Sequence, residues 1–449
     1  DRLTKKQQLH KRRTMTDCCC LEIVEMKFWR VQVPLIKPYK VAMGTVTHTD
    51  NVILRLTARI KRNEVSGDGG AGSREEELIQ GWGEADPLDG FTSETVDSIA
   101  ASLQQLADTA SALLGRNALH ITKLNMDMRS ILGEHCPLAM GAVDMALWDI
   151  VGKYRQAPIY ELLGGHCGNT TFKLLWPLSS QSAADDAAQM PALIARGFTT
   201  FMLKMGGKDD DIDMQIDRIK ALHAKYGTTG EIYFCADANQ GWSVVQAQRF
   251  LNGIQDCHSI AFIEQPLSST CTDADMQQLR PPHMARAFTF SADESVQTRE
   301  QIAACLQSDT FAYLSLKVSK NGGISRMRET LCAANLMNKK VLMNSMLELG
   351  ITQAAALHVA ATCENLLPCG HCFMSTLRTQ GDVTNFRELI DDKCVVHLPG
   401  TNERAGAGAG TCAGASSSAS PSSTHGLGIE VSADKLEEYS VVPAVMIAL

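Results

Sequence analysis

Eight short β-prone segments recur through the second half of the chain, and their spacing leaves few folds open. They run over Thr171–Trp176, Thr200–Lys204, Ile232–Asp237, Ile260–Glu264, Phe288–Asp293, Phe311–Lys317, Lys340–Met346 and Leu366–Phe373. Their starts lie 23–32 residues apart, mostly with amphipathic stretches such as Ile212–Tyr226 between them. One strand, one helix and two turns occupy about that length, so the pattern predicts an α/β fold with an eight-unit parallel barrel of about 250 residues. A doubly wound open sheet is the competing arrangement.

The chain ahead of the repeats reads differently. Glu22 to Lys27 alternates and Asn51 to Leu56 is β-rich, which predicts extended segments over residues 23–60. Residues 62–77 are polar and Gly-rich, and Gly81-Trp82-Gly83-Glu84 resumes ordered sequence, as in a hairpin with a swollen turn. Gly67, Gly69 and Gly72 spell GxGxxG there, but no apolar parallel strand precedes them and Glu75-Glu76-Glu77 follows, so this is a loop and no phosphate cradle. From 93 to 162 the pattern turns helical, with Met140, Val143, Leu147 and Ile150 on one face, and Gly164-Gly165 ends it. Residues 401–424 alternate Ala, Gly and Ser, a composition that cannot build a core and predicts a disordered insertion.

Composition narrows the class. A chain of 449 residues with 45% hydrophobic content can bury the cores of two domains. It lacks an apolar run of about 18 residues, which argues against a membrane span. A net charge of −8 without a long basic stripe argues against a nucleic-acid partner. The 15 cysteines are scattered through apolar segments, as expected of reduced thiols in a cytoplasmic enzyme. Residues 1–20 are basic without an apolar stretch, which excludes a secretory signal; a disordered tail is expected, with organellar targeting the alternative.

The repeats carry charge at their ends. Lys204, Asp237, Glu264, Asp293 and Lys317 close consecutive segments, and Glu348 lies just past the seventh. In a βα barrel those ends form the active-site face. Taken singly, each carboxylate could be a helix N-cap or an ion-pair partner; together, at βα spacing, they form a site. Asp237, Glu264 and Asp293, on adjacent strands, offer all-oxygen ligation suited to Mg²⁺, or Mn²⁺ in its place. Lys204 and Lys317 stand four strands apart in a ring of eight and so face each other. A carboxylate substrate on the cation has its α-proton acidified, since the metal neutralises the developing enediolate, and a lysine of lowered pKa can remove that proton. Alternation points Ser315, Lys317 and Ser319 inward with Lys320 outward, and places Met202 beside Lys204 and Asn239 beside Asp237. Glu294 is a weaker candidate ligand, and Glu348 either orients a base or bonds locally.

At these residues the sequence resembles the muconate-lactonizing branch of the enolase superfamily, from about residue 23 to 449 apart from the insertions. The supporting strings are Gly81 to Glu84, the Met140–Gly165 stretch with Asp144, Trp148 and Asp149, Asp237-Ala238-Asn239-Gln240-Gly241-Trp242, Phe262 to Pro266, Ala292 to Ser295, and Lys317 to Gly323. The resemblance implies a (β/α)7β-type TIM barrel over 166–385, under an α+β capping domain formed by 21–165 and the returning residues 386–449. It implies Asp237, Glu264 and Asp293 as Mg²⁺ ligands, Lys204 and Lys317 as acid–base residues, and a homo-oligomer. One position departs: the usual Lys-x-Lys begins here with Met202, so Lys204 lacks an ammonium neighbour and one-base chemistry from Lys317 gains weight.

Subgroup signals follow. Met346-Leu347-Glu348 replaces the histidine of mandelate-racemase-type members, and Cys369-Gly370-His371-Cys372 lacks the Asp-x-Asp of dipeptide epimerases. That Cys-x-x-Cys has no partner pair at zinc-finger spacing. Phe201 to Gly206 and Leu175 to Leu178 look like cis-3-hydroxy-L-proline dehydratases. The expected activity is therefore dehydration or epimerisation of a proline-like amino-acid carboxylate. Muconate-type cycloisomerisation, dipeptide epimerisation and a non-catalytic barrel are the alternatives.

Overall fold

The computed structural model describes residues 20–41, 44–61, 76–109, 112–180, 182–205, 211–280, 286–401 and 424–449. The elements begin with β1 (Cys20–Val41), β2 (Gly44–Lys61), β3 (Leu78–Ala85), α1 (Val96–Asp108), α2 (Ile121–Leu132), α3 (Pro137–Arg155) and α4 (Ile159–Leu162). They continue with β4 (Thr171–Lys173), β5 (Leu175–Leu178), α5 (Ala183–Ala195), β6 (Thr200–Lys204), α6 (Ile212–Tyr226), β7 (Tyr233–Asp237), α7 (Val244–Gly253), β8 (Ile260–Glu264) and α8 (Asp273–Gln277). The last are β9 (Phe290–Ala292), α9 (Arg299–Gln307), β10 (Phe311–Leu316), α10 (Gly323–Leu336), β11 (Lys340–Met343), α11 (Gly350–Ala361), β12 (Val395–His397), α12 (Ala433–Tyr439) and β13 (Val445–Ala448).

Strands β5 to β11 form one parallel sheet in strict chain order. Its two edges meet through residues 365–372: Leu367 N–H donates to Val341 O and Leu175 N–H donates to His371 O, each at 2.9 Å. The sheet therefore curls into a barrel, and the open-sheet alternative falls. Two expected strands are corrected. Leu366–Phe373 makes isolated bridges to Val341 and Leu174 but no strand, because Pro368 and Gly370 (φ +103°) break its pleat. Thr171–Trp176 splits: β4 pairs antiparallel with β12, and only β5 enters the barrel.

A four-stranded antiparallel sheet, ordered β13-β1-β2-β3, lies against α1–α3, so the C-terminal segment returns to the N-terminal layer. The expected swollen turn, its GxGxxG and nearly all of the 401–424 insertion fall outside the described residues. Residues 1–19 do also, whereas Cys20 already belongs to β1. Among the described residues no helix is long and apolar enough to cross a membrane.

Helix starts explain how the barrel is punctuated. Ser182, Asp211, Ser243, Thr272 and Thr298 cap α5 to α9 with their own side chains. The next two helices have no such cap. Instead Asp144 of α3 accepts from Ser325 N–H at the start of α10 (2.9 Å). Glu84 of β3 accepts from Leu349 and Thr352 N–H at the start of α11 (2.6 and 2.9 Å). Gly323 (φ +94°) permits the first contact, since a Cβ there would lie 2.6 Å from the Asp144 carboxylate. Asp149 ties Trp82 N–H and Leu427 N–H to the same helix α3.

Candidate active site

The barrel strands deliver the charged residues to one rim. Lys204 ends β6 level with Asp237, which ends β7 level with Glu264 of β8. Asp293 and Lys317 follow immediately after β9 and β10. Lys204 and Lys317, from strands four apart, line one cavity of about 50 Å³ together with Asn239, Met202, Phe91 and Tyr39.

Each carboxylate is held. Lys204 Nζ pairs with Asp237 Oδ2, whose other oxygen accepts from Asn239 N–H at 2.9 Å. Glu264 accepts from Ser315 Oγ (2.8 Å) and Asn344 Nδ2 (3.0 Å). Lys317 Nζ donates to Asp293 Oδ2 at 2.7 Å and sits 4.0 Å from the centroid of the Phe91 ring. Gln265 Oε1 accepts from Asp293 and Ser295 N–H, fixing the turn after β9. Lys320 corrects an expectation: it points inward, donating to Asp293 Oδ1 (2.6 Å) and O (2.7 Å). The pleat rule placed it outward, but β10 ends at Leu316 and residues 318–320 form a turn, where alternation no longer applies.

Burial and charge set the protonation states. Burial would raise Asp293, but Lys317 and Lys320 outweigh it and hold the carboxyl at about 2. Burial, then Asp237 and Asp293, push Glu264 well above the usual range. Glu294 is raised to about 8 by burial and by the same two aspartates. Against burial, Asp237 keeps Lys204, and Asp293 keeps Lys317, above the ordinary lysine value. Both amines therefore stand protonated at neutral pH.

As the side chains stand, no three carboxylate, histidine or cysteine groups among the described residues are grouped to share one metal ion. Asp237 and Glu264 end adjacent strands in register, Asp293 follows β9 on the next strand, and Lys204, with Lys317 and Lys320, pairs with the two aspartates. The residues nonetheless fit a hard cation. Asp237 and Asp293 both push the Glu264 and Glu294 carboxyls upward, and Glu294 Oε2 and Asn239 Oδ1 are buried without a hydrogen-bond partner. Asn239 Nδ2 donates to Glu294 Oε1 at 3.3 Å, so the pair flanks the carboxylates.

Glu348 bonds locally. It accepts from Met346 N–H (2.7 Å), Leu347 N–H (3.0 Å), Ser345 Oγ (2.8 Å) and Gln353 Nε2 (2.5 Å). That network holds Leu347, a cavity-lining residue, at φ +101°, a strained conformation for a bulky side chain. His371 of the Cys-x-x-Cys segment accepts from Met343 N–H (3.2 Å) inside the barrel wall, which is a structural role. All described cysteines are free thiols. Phe91, Tyr39 and Arg378 also line the cavity and had no signal in the repeats.

Residues 184–435 match the family model described as enolase C-terminal domain-like, and residues 23–164 match the N-terminal domain of mandelate racemase/muconate lactonizing enzyme. The chain belongs to this family of the enolase superfamily. Among relatives of this mandelate racemase/muconate lactonizing enzyme family member, the L-Ala-D/L-Glu epimerase of Bacillus subtilis is 31% identical over 349 residues, 77% of this chain and 87% of that enzyme. The cis-3-hydroxy-L-proline dehydratase of Roseibium aggregatum is 28% identical over 263 residues, 58% of this chain and 67% of that enzyme. The solved dipeptide epimerase of Cytophaga hutchinsonii, complexed with Mg and D-Ala-L-Val, superposes with TM-score 0.75 at 22% identity, covering 95% of this chain and 100% of the other. This protein is an enzyme of the racemase, epimerase and cycloisomerase family, whose members depend on Mg²⁺.

Proposed function

We propose that the enzyme moves the α-proton of a small amino-acid-derived carboxylate between two lysines, as a racemase or epimerase does. The observation that carries this reading is that Lys204 and Lys317 line one cavity from opposite sides of the barrel. Two lysine arms on opposite faces of one carbon, one as the free amine and the other as the ammonium, allow removal on one side and return on the other. Asp237, Glu264 and Asp293, with Glu294 nearby, would hold Mg²⁺ or Mn²⁺. When bound, the cation would neutralise charge developing on the substrate carboxylate.

The chain's own residues do the rest. Lys317 is a proton donor while Asp293 keeps its charge beside it, and becomes a base once that charge is engaged elsewhere. Phe91 covers the Lys317 amine and limits its hydration. Asn239 and the strained Leu347 turn shape the floor and wall.

Dehydration of a hydroxyproline-like ring is the second reading, favoured by Pro177 and Met202, which give the cavity an apolar wall beside Lys204. Exchange in D₂O with Mg²⁺, over a panel of amino acids, dipeptides, N-acyl amino acids and cis-3-hydroxyproline, tests both. Wild type should exchange the α-proton of one class. Lys204→Ala and Lys317→Ala should each keep exchange for only one stereoisomer. No exchange with any member, or equal exchange after Lys317→Ala, refutes the proposal.

A further inference from the structure

The cavity holds one charge that the proton-transfer chemistry does not use. Arg378 lies on the segment leaving the eighth barrel position and lines the same cavity as both lysines. Its guanidinium stacks on Tyr39, 3.6 Å from the ring centroid. The cavity is also lined by Met374, Cys372, Pro177 and Met202, with Asn239, Asn344 and Ser345 among its polar groups and no carboxylate among the described residues that line it. Burial pulls its pKa below the ordinary arginine value, and the groups acting against that are Tyr39 and Cys372, neither a carboxylate. Arg378 is half-buried, and its contrast with the buried arginines is direct. Arg218 meets Asp186 at 2.6 Å and Arg326 meets Glu134 at 3.0 Å.

A guanidinium partly withdrawn from water, with no carboxylate paired to it among the described residues, is unfavourable, and its planar fork matches a carboxylate in two parallel hydrogen bonds. Partial burial strengthens any such pairing. Position decides which anion. In a ring of eight the closing segment stands opposite the fourth strand, which carries Glu264. A substrate whose reacting carboxylate lies on the acidic side therefore directs its far end toward Arg378. Tyr39, on which Arg378 stacks, lines the same cavity as Lys204.

We infer that Arg378 binds a second carboxylate of the substrate, so that the substrate class is a dicarboxylate with the reacting α-carbon at one end. The inference rests on reading the cavity as the active site. It adds a specificity residue from outside the strand-end set, and it places the second anion several bonds from the reacting carbon.

Full-length protein with Mg²⁺ is titrated with glutarate and with butyrate by calorimetry, in wild type, Arg378→Met and Arg378→Lys. A charge-assisted bidentate contact predicts that Arg378→Met weakens glutarate about tenfold to hundredfold more than butyrate, with partial recovery in Arg378→Lys. Equal losses for the two acids, or none, overturn the inference. Since Arg378→Met removes a half-buried charge with no carboxylate partner among the described residues, its melting temperature should hold or rise. If it fails to fold, Arg378→Lys alone decides, by a loss selective for glutarate. The two readings separate in the exchange assay. Glutarate selectivity without exchange on any substrate leaves the anion site standing and removes the proton-transfer reading. Exchange with an unaltered ratio of dicarboxylate to monocarboxylate kcat/KM in Arg378→Met does the reverse.

Discussion

Two histidines built into the barrel make its stability depend on acid in a calculable way. His371 closes the barrel: its Nδ1 accepts the Met343 N–H at 3.2 Å, and the ring packs against Phe172 and Phe373. His358 of α11 accepts the Tyr160 N–H through Nδ1 at 3.3 Å and stacks on that tyrosine. A protonated Nδ1 cannot accept, so both rings must be neutral in the fold. Burial accordingly pushes each from 6.5 to about 4. The folded value lies below the unfolded one, so the unfolded chain binds more protons between pH 4 and 6.5. The stabilisation is complete above 6.5 and is lost as pH falls toward 4. Two and a half units correspond to about 3 kcal/mol for each histidine. Buried carboxyls with raised pKa, Glu84 at about 8 and Asp382 at about 6, act with the opposite sign, so the raw profile is mixed. The comparison that isolates the effect is His371→Asn, whose Oδ1 can accept the Met343 N–H without titrating. Urea unfolding at pH 7, 6, 5 and 4.5 should show wild type losing about 2–3 kcal/mol more than the variant over that span. Parallel profiles would refute the claim that a neutral His371 closes the barrel.

Glu94 gives the opposite slope. Its carboxyl is raised to about 7 by burial, against the Leu138 and Ala139 N–H groups, so its contribution is present below 4.5 and fades as pH rises through 7. Melting temperature against pH should be flatter in Glu94→Gln than in wild type between pH 5 and 8. Glu348→Ala should lose about 3 kcal/mol or more, since it orphans buried N–H groups and releases the strained Leu347. Denaturant unfolding measures it, and a loss below about 1 kcal/mol would show that the turn holds itself.

The rhythm of the chain carried the barrel because each βα unit repeats one physical problem: an apolar strand, a turn and a capped helix. The strand-end residues Lys204, Asp237 and Glu264 were placed by that rhythm alone, and Lys317 by alternation. The same alternation misplaced Lys320, since a pleat gives no guidance past the last hydrogen-bonded residue. Leu366–Phe373 looked like a strand by its apolar content, while Pro368 and Gly370 allow only bridges. Side-chain pose was illegible, because which partner a buried carboxylate takes depends on distances no periodicity encodes. Phe91 and Tyr39 reach the cavity from the other layer, and Arg378 from a segment beyond the repeats, so their placement follows from docking and long loops.

Two barrel helices are finished by acids that belong to a different layer. Swinging the antiparallel layer off the barrel would strip α10 of Asp144 and α11 of Glu84, exposing bare helix ends and stranding carboxylates together. Such a hinge is therefore energetically closed. Tyr39, Leu88 and Phe91 bring the antiparallel layer to the cavity wall, and changes of specificity can accumulate there without loosening the frame.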